Sequence, residues 1–298
     1  RLDCCLSLSE PDVQTNLIVD RYSPDETVAL LRSAARLYYQ PQNQSENLGR
    51  IGDPCYSRGF RIGSNGNNAP SHLVMKFRSF CIELADAMAA ATPAVKSVFL
   101  YRDMQRAVRS GMRVFRYAGA PLWWADRFHR AVITRGPLAI GLWWNIELGR
   151  RMFPVMQRFT PWELSKLGAI GLLGIAWLSA MERCVQLQRA GFAMPAICYD
   201  DLIARPREIA SALAVHCDLP SGSGEEMITA MGEDSQRDSV VQRARQSNYE
   251  LTPRDHDTLR LVLSRSEIVD STDFAPDVSL GDDANAATKP ETLGNIAT

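Results

Sequence analysis

Arg102 and Ser110 stand eight positions apart, one closing an apolar run and the other inside the segment that follows it: Ser97-Val98-Phe99-Leu100-Tyr101-Arg102-Asp103-Met104-Gln105-Arg106-Ala107-Val108-Arg109-Ser110. A guanidinium offers planar, paired donors and a hydroxyl adds one more hydrogen bond, a set that suits a phosphate. The apolar run reads as a buried parallel strand. The next residues are good helix formers, with neither Gly nor Pro before Gly111. Arg102 then falls at the carboxyl end of a strand, where open α/β sheets bind ligands. Ser110 falls about two turns along the helix, on a face that can turn back to the same pocket. The same residues leave a second reading open, in which Arg102 only marks the point where the chain leaves the core.

The elements that must position this pair follow from start signals and periodicity. Ser23-Pro24-Asp25-Glu26 opens a helix to about Tyr39, with Ser as N-cap, Pro first and Glu third. The same grammar recurs at Thr160-Pro161-Trp162-Glu163 and Thr252-Pro253-Arg254-Asp255. Residues 40–70 are polar and glycine-rich and read as a loop, with a tight turn at Ser64-Asn65-Gly66-Asn67-Asn68. His72 to Phe77 is a short strand, Phe80 to Ala91 an amphipathic helix, and Ser97 to Tyr101 the next strand, followed by a helix from about Asp103 to Arg116. A long helix covers about Trp162 to Ala190. Ala193 to Tyr199 is a further buried strand, and Arg205-Pro206 opens a helix to about His216. Strands alternating with helices predict an α/β fold: a three-layer, mainly parallel sheet flanked by helices.

Between them, Pro121 to Phe159 is rich in Trp and Arg. That segment either binds an anionic or aromatic substrate or places core aromatics under solvated arginines. The expected organisation is one domain over residues 1–270 and a disordered tail over 271–298, where Asp, Ala and Thr dominate without periodicity.

Composition narrows the function classes. The chain has 298 residues, 46% of them hydrophobic, enough for a sizeable core. Lys and Arg number 33 against 34 Asp and Glu, so no general nucleic-acid affinity is expected. Seven cysteines, an odd number without a CxxC pair, point to reduced thiols and a cytoplasmic setting. The four histidines lack metal-ligand spacing, and no metal is expected. The longest apolar stretch, Leu167 to Met181, is shorter than the roughly 20 residues that cross a bilayer. It reads as a buried core helix.

Two segments together resemble the sulfotransferases that use 3′-phosphoadenosine 5′-phosphosulfate (PAPS), a family with a P-loop NTPase-like fold and a helical substrate region. Arg102, Asp103 and Ser110 are similar in identity and spacing to the residues that hold the cofactor's 3′-phosphate in that family. The second segment is Ile197-Cys198-Tyr199-Asp200-Asp201-Leu202, followed by Arg205-Pro206-Arg207-Glu208 and closing on Cys217-Asp218-Leu219-Pro220. It resembles the family's Tyr-Glu-Asp-Leu, proline, helix and Leu-Pro close. Asp234-Ser235-Gln236 is similar to a polar segment near the nucleotide in bacterial members. Leu6 to Asp12 resembles the stretch that, in tyrosylprotein sulfotransferase-like members, carries a catalytic glutamate. The resemblance covers about Leu6 to Gln242.

It implies that PAPS is the co-substrate and that a hydroxyl or amine on a small molecule or peptide is the acceptor. Glu10 is then the base, unless it only caps a helix. Lys76 faces the transferring sulfuryl group, unless it is a solvated strand end. Arg102 and Ser110 bind the 3′-phosphate, Tyr199 packs near the adenine unless it is a core tyrosine, and Ser235 lies near the nucleotide. The chain departs from the pattern in two places. A Gly-rich phosphosulfate loop is not found, and the resemblance places Arg1-Leu2-Asp3 inside the helix after it, which implies a chain truncated past that loop. Arg78 stands where cytosolic members carry a histidine base, which favours a carboxylate instead. Two other classes share the features: a non-catalytic nucleotide-binding relative, and a P-loop kinase-like phosphotransferase, which needs a Walker lysine and metal carboxylates not seen here.

Overall fold

The computed structural model describes residues 5–9, 17–18, 22–39, 72–77, 79–117, 146–231 and 249–276. Near the N-terminus, β1 (Cys5–Ser9) lies parallel to β2 (His72–Lys76), with Leu6 opposite Leu73 and Leu8 opposite Met75. A strand at β1 was not expected from the sequence, although Leu6-Ser7-Leu8-Ser9 alternates with a period of two. Helix α1 (Pro24–Tyr39) starts where the cap signals place it. The Ser23 amide donates to Glu26 at 2.8 Å and the Glu26 amide donates to the Ser23 hydroxyl at 3.3 Å.

The segment expected as one helix over Phe80 to Ala91 winds in two pieces, a 3-10 helix Ser79–Leu84 and then α2 (Ala85–Ala91). Four of the six residues in the first piece are buried: Phe80, Cys81, Ile82 and Leu84. Leu31 of α1 packs with Leu84 and Ala91. Arg32 donates to the carbonyls of Ala91 and Ala90, at 3.3 and 3.4 Å, satisfying acceptors that the end of a helix leaves open.

A second parallel strand pair lies further along the chain. β3 (Phe99–Tyr101) runs parallel to β4 (Ala196–Cys198), in the register Phe99 to Ala196, Leu100 to Ile197 and Tyr101 to Cys198. Among the described residues the strands form these two parallel pairs. After β3 comes α3 (Met104–Tyr117), and after β4 come α5 (Tyr199–Ala204), α6 (Pro206–His216) and α7 (Ser223–Met231). β4 is shorter than expected because Tyr199 already opens a helix, whose first turn carries Asp200 and Asp201, favourable at a helix N-terminus.

The long helix α4 (Pro161–Arg189) connects the two halves of that pair and forms the core. Thr160 and Glu163 close its capping box, and Gly168 kinks it at φ 61°, a value that favours glycine. By length and hydropathy α4 could cross a membrane, but 67% of its most apolar window is buried inside the protein. Leu178 and Met181 are fully buried against Met104 and Val108 of α3 and Leu259 and Val262 of α8 (Pro253–Leu263). Side chains of this size contribute about 1.5–3 kcal/mol each when buried. At Gly174 a Cβ would come within 3.0 Å of Leu259 and 3.2 Å of Met104, so the three helices meet at a position where only hydrogen fits without a shift.

One carboxylate sits inside this apolar helix. Glu182 is 3% exposed. It accepts both arms of Arg158 at 2.7 Å, from the 3-10 helix Pro154–Arg158, and the Ser266 hydroxyl at 2.6 Å, from the turn after α8. Removing one member of a buried pair leaves the other uncompensated. Glu182→Ala is expected to cost about 3 kcal/mol or more of unfolding free energy, measured by urea denaturation. A loss within 0.5 kcal/mol, as for an ordinary surface change, would show that the network does not hold the fold together.

Glu83 faces α4 from the neighbouring 3-10 helix. Burial pushes its carboxyl up to about 7 from the usual 4.5, against the pull of Arg183 and with a push from Asp86. Between those two values the folded chain holds a proton that the unfolded chain releases, so stability falls as pH rises from 4.5 to about 7. Unfolding curves across that range should show the decline, and Glu83→Gln should flatten it.

Candidate functional site

The carboxyl ends of β3 and β4 bring Arg102 and Tyr199 side by side, because each residue directly follows a register pair, Tyr101 and Cys198. The Arg102 guanidinium lies 3.6 Å from the centre of the Tyr199 ring. A guanidinium stacked on an aromatic face is held by the ring while its donors stay in the plane. Among the described residues no carboxylate pairs with Arg102. Its carbonyl accepts from the buried Trp177 indole N–H at 2.7 Å, so α4 fixes the backbone from which the guanidinium projects.

The next residue turns the strand into a helix. Asp103 accepts from the Arg106 amide at 2.8 Å and so caps α3. Arg106, one turn on, bridges Asp103 at 3.2 Å and Asp200 at 2.6 Å, tying the start of α3 to the start of α5. Arg109 pairs with Glu250 at 3.0 Å and Arg113 with the same carboxylate at 3.7 Å. These side chains are partly exposed, so each pair contributes on the order of 0–1 kcal/mol. Their effect is on charge: three of the arginines on this helix are already neutralised.

Beside these residues lies a cleft of about 700 Å³. Tyr101 and Cys198 line it, whereas Arg102 and Tyr199 do not, as expected when successive side chains at a strand end point to opposite sides. Its walls carry five carboxylates (Asp103, Asp200, Asp201, Glu250 and Asp273) against Arg106 and Arg109, with His256 beside them. A dianion finds little net attraction there. Arg102 lies outside this lining and is paired with no described carboxylate.

Of the residues singled out in the sequence, Arg102 and Tyr199 are brought into contact. Ser110 is half-buried on α3, on the same helix face as the cleft residues Asp103 and Arg106 by its i, i+3, i+7 spacing, and among the described residues no hydrogen bond joins it to Arg102. Lys76 ends β2 and is exposed. Glu10 and Ser235 lie outside the described residues. Sequence reasoning passed over Arg106, Asp200 and Trp177. The first two carried a weak signal, as charged residues one turn past a strand end and inside the Tyr-Asp-Asp-Leu segment. Trp177 carried another, since a buried indole N–H needs an acceptor.

Cys81 and Cys184 are buried, and Cys198 and Cys217 are half-buried. Burial pushes the Cys184 thiol up to about 12, which keeps it an inert thiol at neutral pH.

Comparison of the chain with family models, with curated proteins and with solved structures gave no match.

Trp177→Phe keeps most of the apolar volume and deletes the donor to Arg102. It should cost about 1–2 kcal/mol in chemical denaturation, because a part-buried carbonyl loses its partner. A change near zero would mean that water replaces the indole and that α4 does not fix the strand end.

Proposed function

We propose that this chain is a sulfotransferase that moves a sulfuryl group from PAPS to a hydroxyl or amine acceptor, on a three-layer P-loop NTPase-like fold. The observation that supports this reading is the Arg102 guanidinium at the carboxyl end of a parallel strand, stacked on Tyr199 and paired with no described carboxylate. A guanidinium so held is pre-organised for a phosphate dianion. In this reading Arg102 and Ser110 take the 3′-phosphate, and Ser235 lies near the nucleotide. Tyr199 orients Arg102 with one face of its ring and leaves the other for the adenine.

The reaction needs an acceptor atom in line with the bond from sulfur to its bridging oxygen. The acceptor oxygen or nitrogen bonds to sulfur, the bridging S–O bond breaks, and adenosine 3′,5′-bisphosphate leaves with the electron pair. Glu10 takes the acceptor proton as general base. Lys76 stabilises charge on the transferring group and the leaving oxygen. The acceptor is a small molecule or peptide.

One observation favours a second reading, a non-catalytic nucleotide-binding relative. The cleft beside the strand ends has more carboxylates than guanidiniums, and its two arginines are paired.

Calorimetry with adenosine 3′,5′-bisphosphate tests the assignment. Arg102→Ala should weaken binding by about 1.5–3 kcal/mol, roughly 10- to 150-fold. Adenosine 5′-phosphate, lacking the 3′-phosphate, should bind weakly and ignore the substitution. Equal affinity of Arg102→Ala and the unaltered chain for the bisphosphate would sink the site. Glu10→Gln should leave that affinity in place and abolish most turnover, whereas the non-catalytic reading predicts no turnover in either protein.

A further inference from the structure

Away from the strand ends, a second charged group stands where two layers of the protein meet. Glu83 lies in the 3-10 helix Ser79–Leu84, which packs on α4 and leads into α2. Its side chain is 20% exposed, and among the described residues it accepts no hydrogen bond. From α4 it faces Arg183, whose Nε stands 3.6 Å away, beyond hydrogen-bond reach. From α2 it faces Asp86, which takes Nη2 of the same guanidinium at 3.1 Å. These are the charged groups that act on Glu83 among the described residues. Glu182, the other carboxylate on this stretch of α4, is taken by Arg158 and Ser266. The buried Arg183 Nε has no hydrogen-bond partner among the described residues. One guanidinium thus serves two carboxylates and bonds the exposed one rather than the buried one.

Such a site suits a protonated carboxyl. Once ionised, Glu83 has lost hydration and has a counter-charge too far away to bond it. Two escapes exist: Arg183 turns its Nε onto the carboxylate, or the 3-10 helix lifts and returns Glu83 to water. The first draws the guanidinium away from Asp86. The second is opposed by a modest apolar contact. Ile82 and Ala85 meet Ala180, Cys184 and Leu187 of α4, side chains that are mostly small, and Phe80 meets Phe153 edge to face at 6.0 Å. The α1–α2 layer does not depend on that contact. Leu17, Leu31, Leu84 and Ala91 form a cluster of their own, and Arg32 holds the Ala90 and Ala91 carbonyls.

We propose that Glu83, Arg183 and Asp86 form a pH-sensitive joint, at which ionisation of Glu83 lifts the 3-10 helix and the α1–α2 layer from α4. The opening is local and lies below the free energy of global unfolding. It therefore goes beyond the decline of overall stability with pH, and it does not rest on the proposed reaction. Burial, which pushes the Glu83 carboxyl up to about 7, sets the change near neutral pH.

Hydrogen exchange of the full chain, read residue by residue from pH 5 to 8 and corrected for intrinsic rates, tests the joint. The amides of Ile82 to Met88 should lose protection as pH rises, by up to about a hundredfold, because an opening that exposes Glu83 gains up to about tenfold per pH unit below the folded value. At each pH they should exchange at least about tenfold faster than the core amides of Leu178, Met181 and Leu259. Glu83→Gln keeps the size, carries no charge and should remove the pH dependence. Asp86→Asn takes away a repulsion, leaves Arg183 to Glu83 and should end the decline at a lower pH. If Ile82 to Met88 exchange no faster than the core amides, the segment opens only with the whole molecule and the joint is overturned. If their protection is constant with pH, Arg183 has turned onto the ionised carboxylate and the joint stays shut, which also overturns it. A decline that persists in Glu83→Gln assigns the effect to another group. Should that variant fail to fold, Asp86→Asn decides: a decline that ends at the unaltered pH overturns the triad.

Discussion

A carboxylate buried in an apolar helix is the constraint around which the described core is arranged. Glu182 has Leu178, Met181 and Val185 as close neighbours on α4, all buried. A charge in such a place must be paired and fully hydrogen-bonded. Arg158 supplies a two-armed fork and Ser266 a third donor. Arg158 also donates to the Arg265 carbonyl at 2.8 Å. One side chain thereby ties together the turn before α4, the middle of α4 and the turn after α8. The same requirement sets the direction in which the chain leaves α8, toward the start of α3.

The other end of that arrangement is functional in the proposed reading. Trp177 lies on the same helix as Glu182 and fixes the Arg102 carbonyl. Gly174 lets Met104 and Leu259 approach α4 closely. α4 thus places the end of β3, the first turn of α3 and the base of α8 relative to one another. Packing of this kind is stiff, because a shift of one side chain by a methyl group is felt by its neighbours. The Arg102–Tyr199 stack inherits that stiffness through the register of β3 and β4.

Electrostatics divide the strand ends into two environments. On the cleft side, Asp103, Asp200 and Glu250 consume the charge of Arg106 and Arg109. On the other side, Arg102 has, among the described residues, an aromatic ring in place of a counter-ion. A ring orients a guanidinium without neutralising it, which keeps attraction available for an anionic ligand. On the cleft side the Thr272 carbonyl takes the first amide of α3, that of Met104.

Local signals in the sequence determined most element starts. Ser23, Thr160 and Thr252, each followed by proline and then an acid at the third helical position, cap α1, α4 and α8 because a cap needs only residues within one turn. The apolar runs ending at Tyr101 and Tyr199 marked β3 and β4, and Arg102 was legible as a strand-end guanidinium. The 3-10 winding of Ser79–Leu84, the strand at Cys5–Ser9 and the turn to helix at Tyr199 were not read, since each depends on what packs or pairs with it from far along the chain. Arg102 meeting Tyr199 required the parallel register of strands nearly a hundred residues apart. The capture of Met104 by Thr272 had no local signal at all, because a backbone carbonyl is common to every residue and only the folded path decides which amide it meets. The sequence by itself determined which groups were present and where the capped helices α1, α4 and α8 began. Tertiary structure alone decided which charges are paired among the described residues, because charge pairing depends on distances of a few ångströms between segments that the sequence keeps apart.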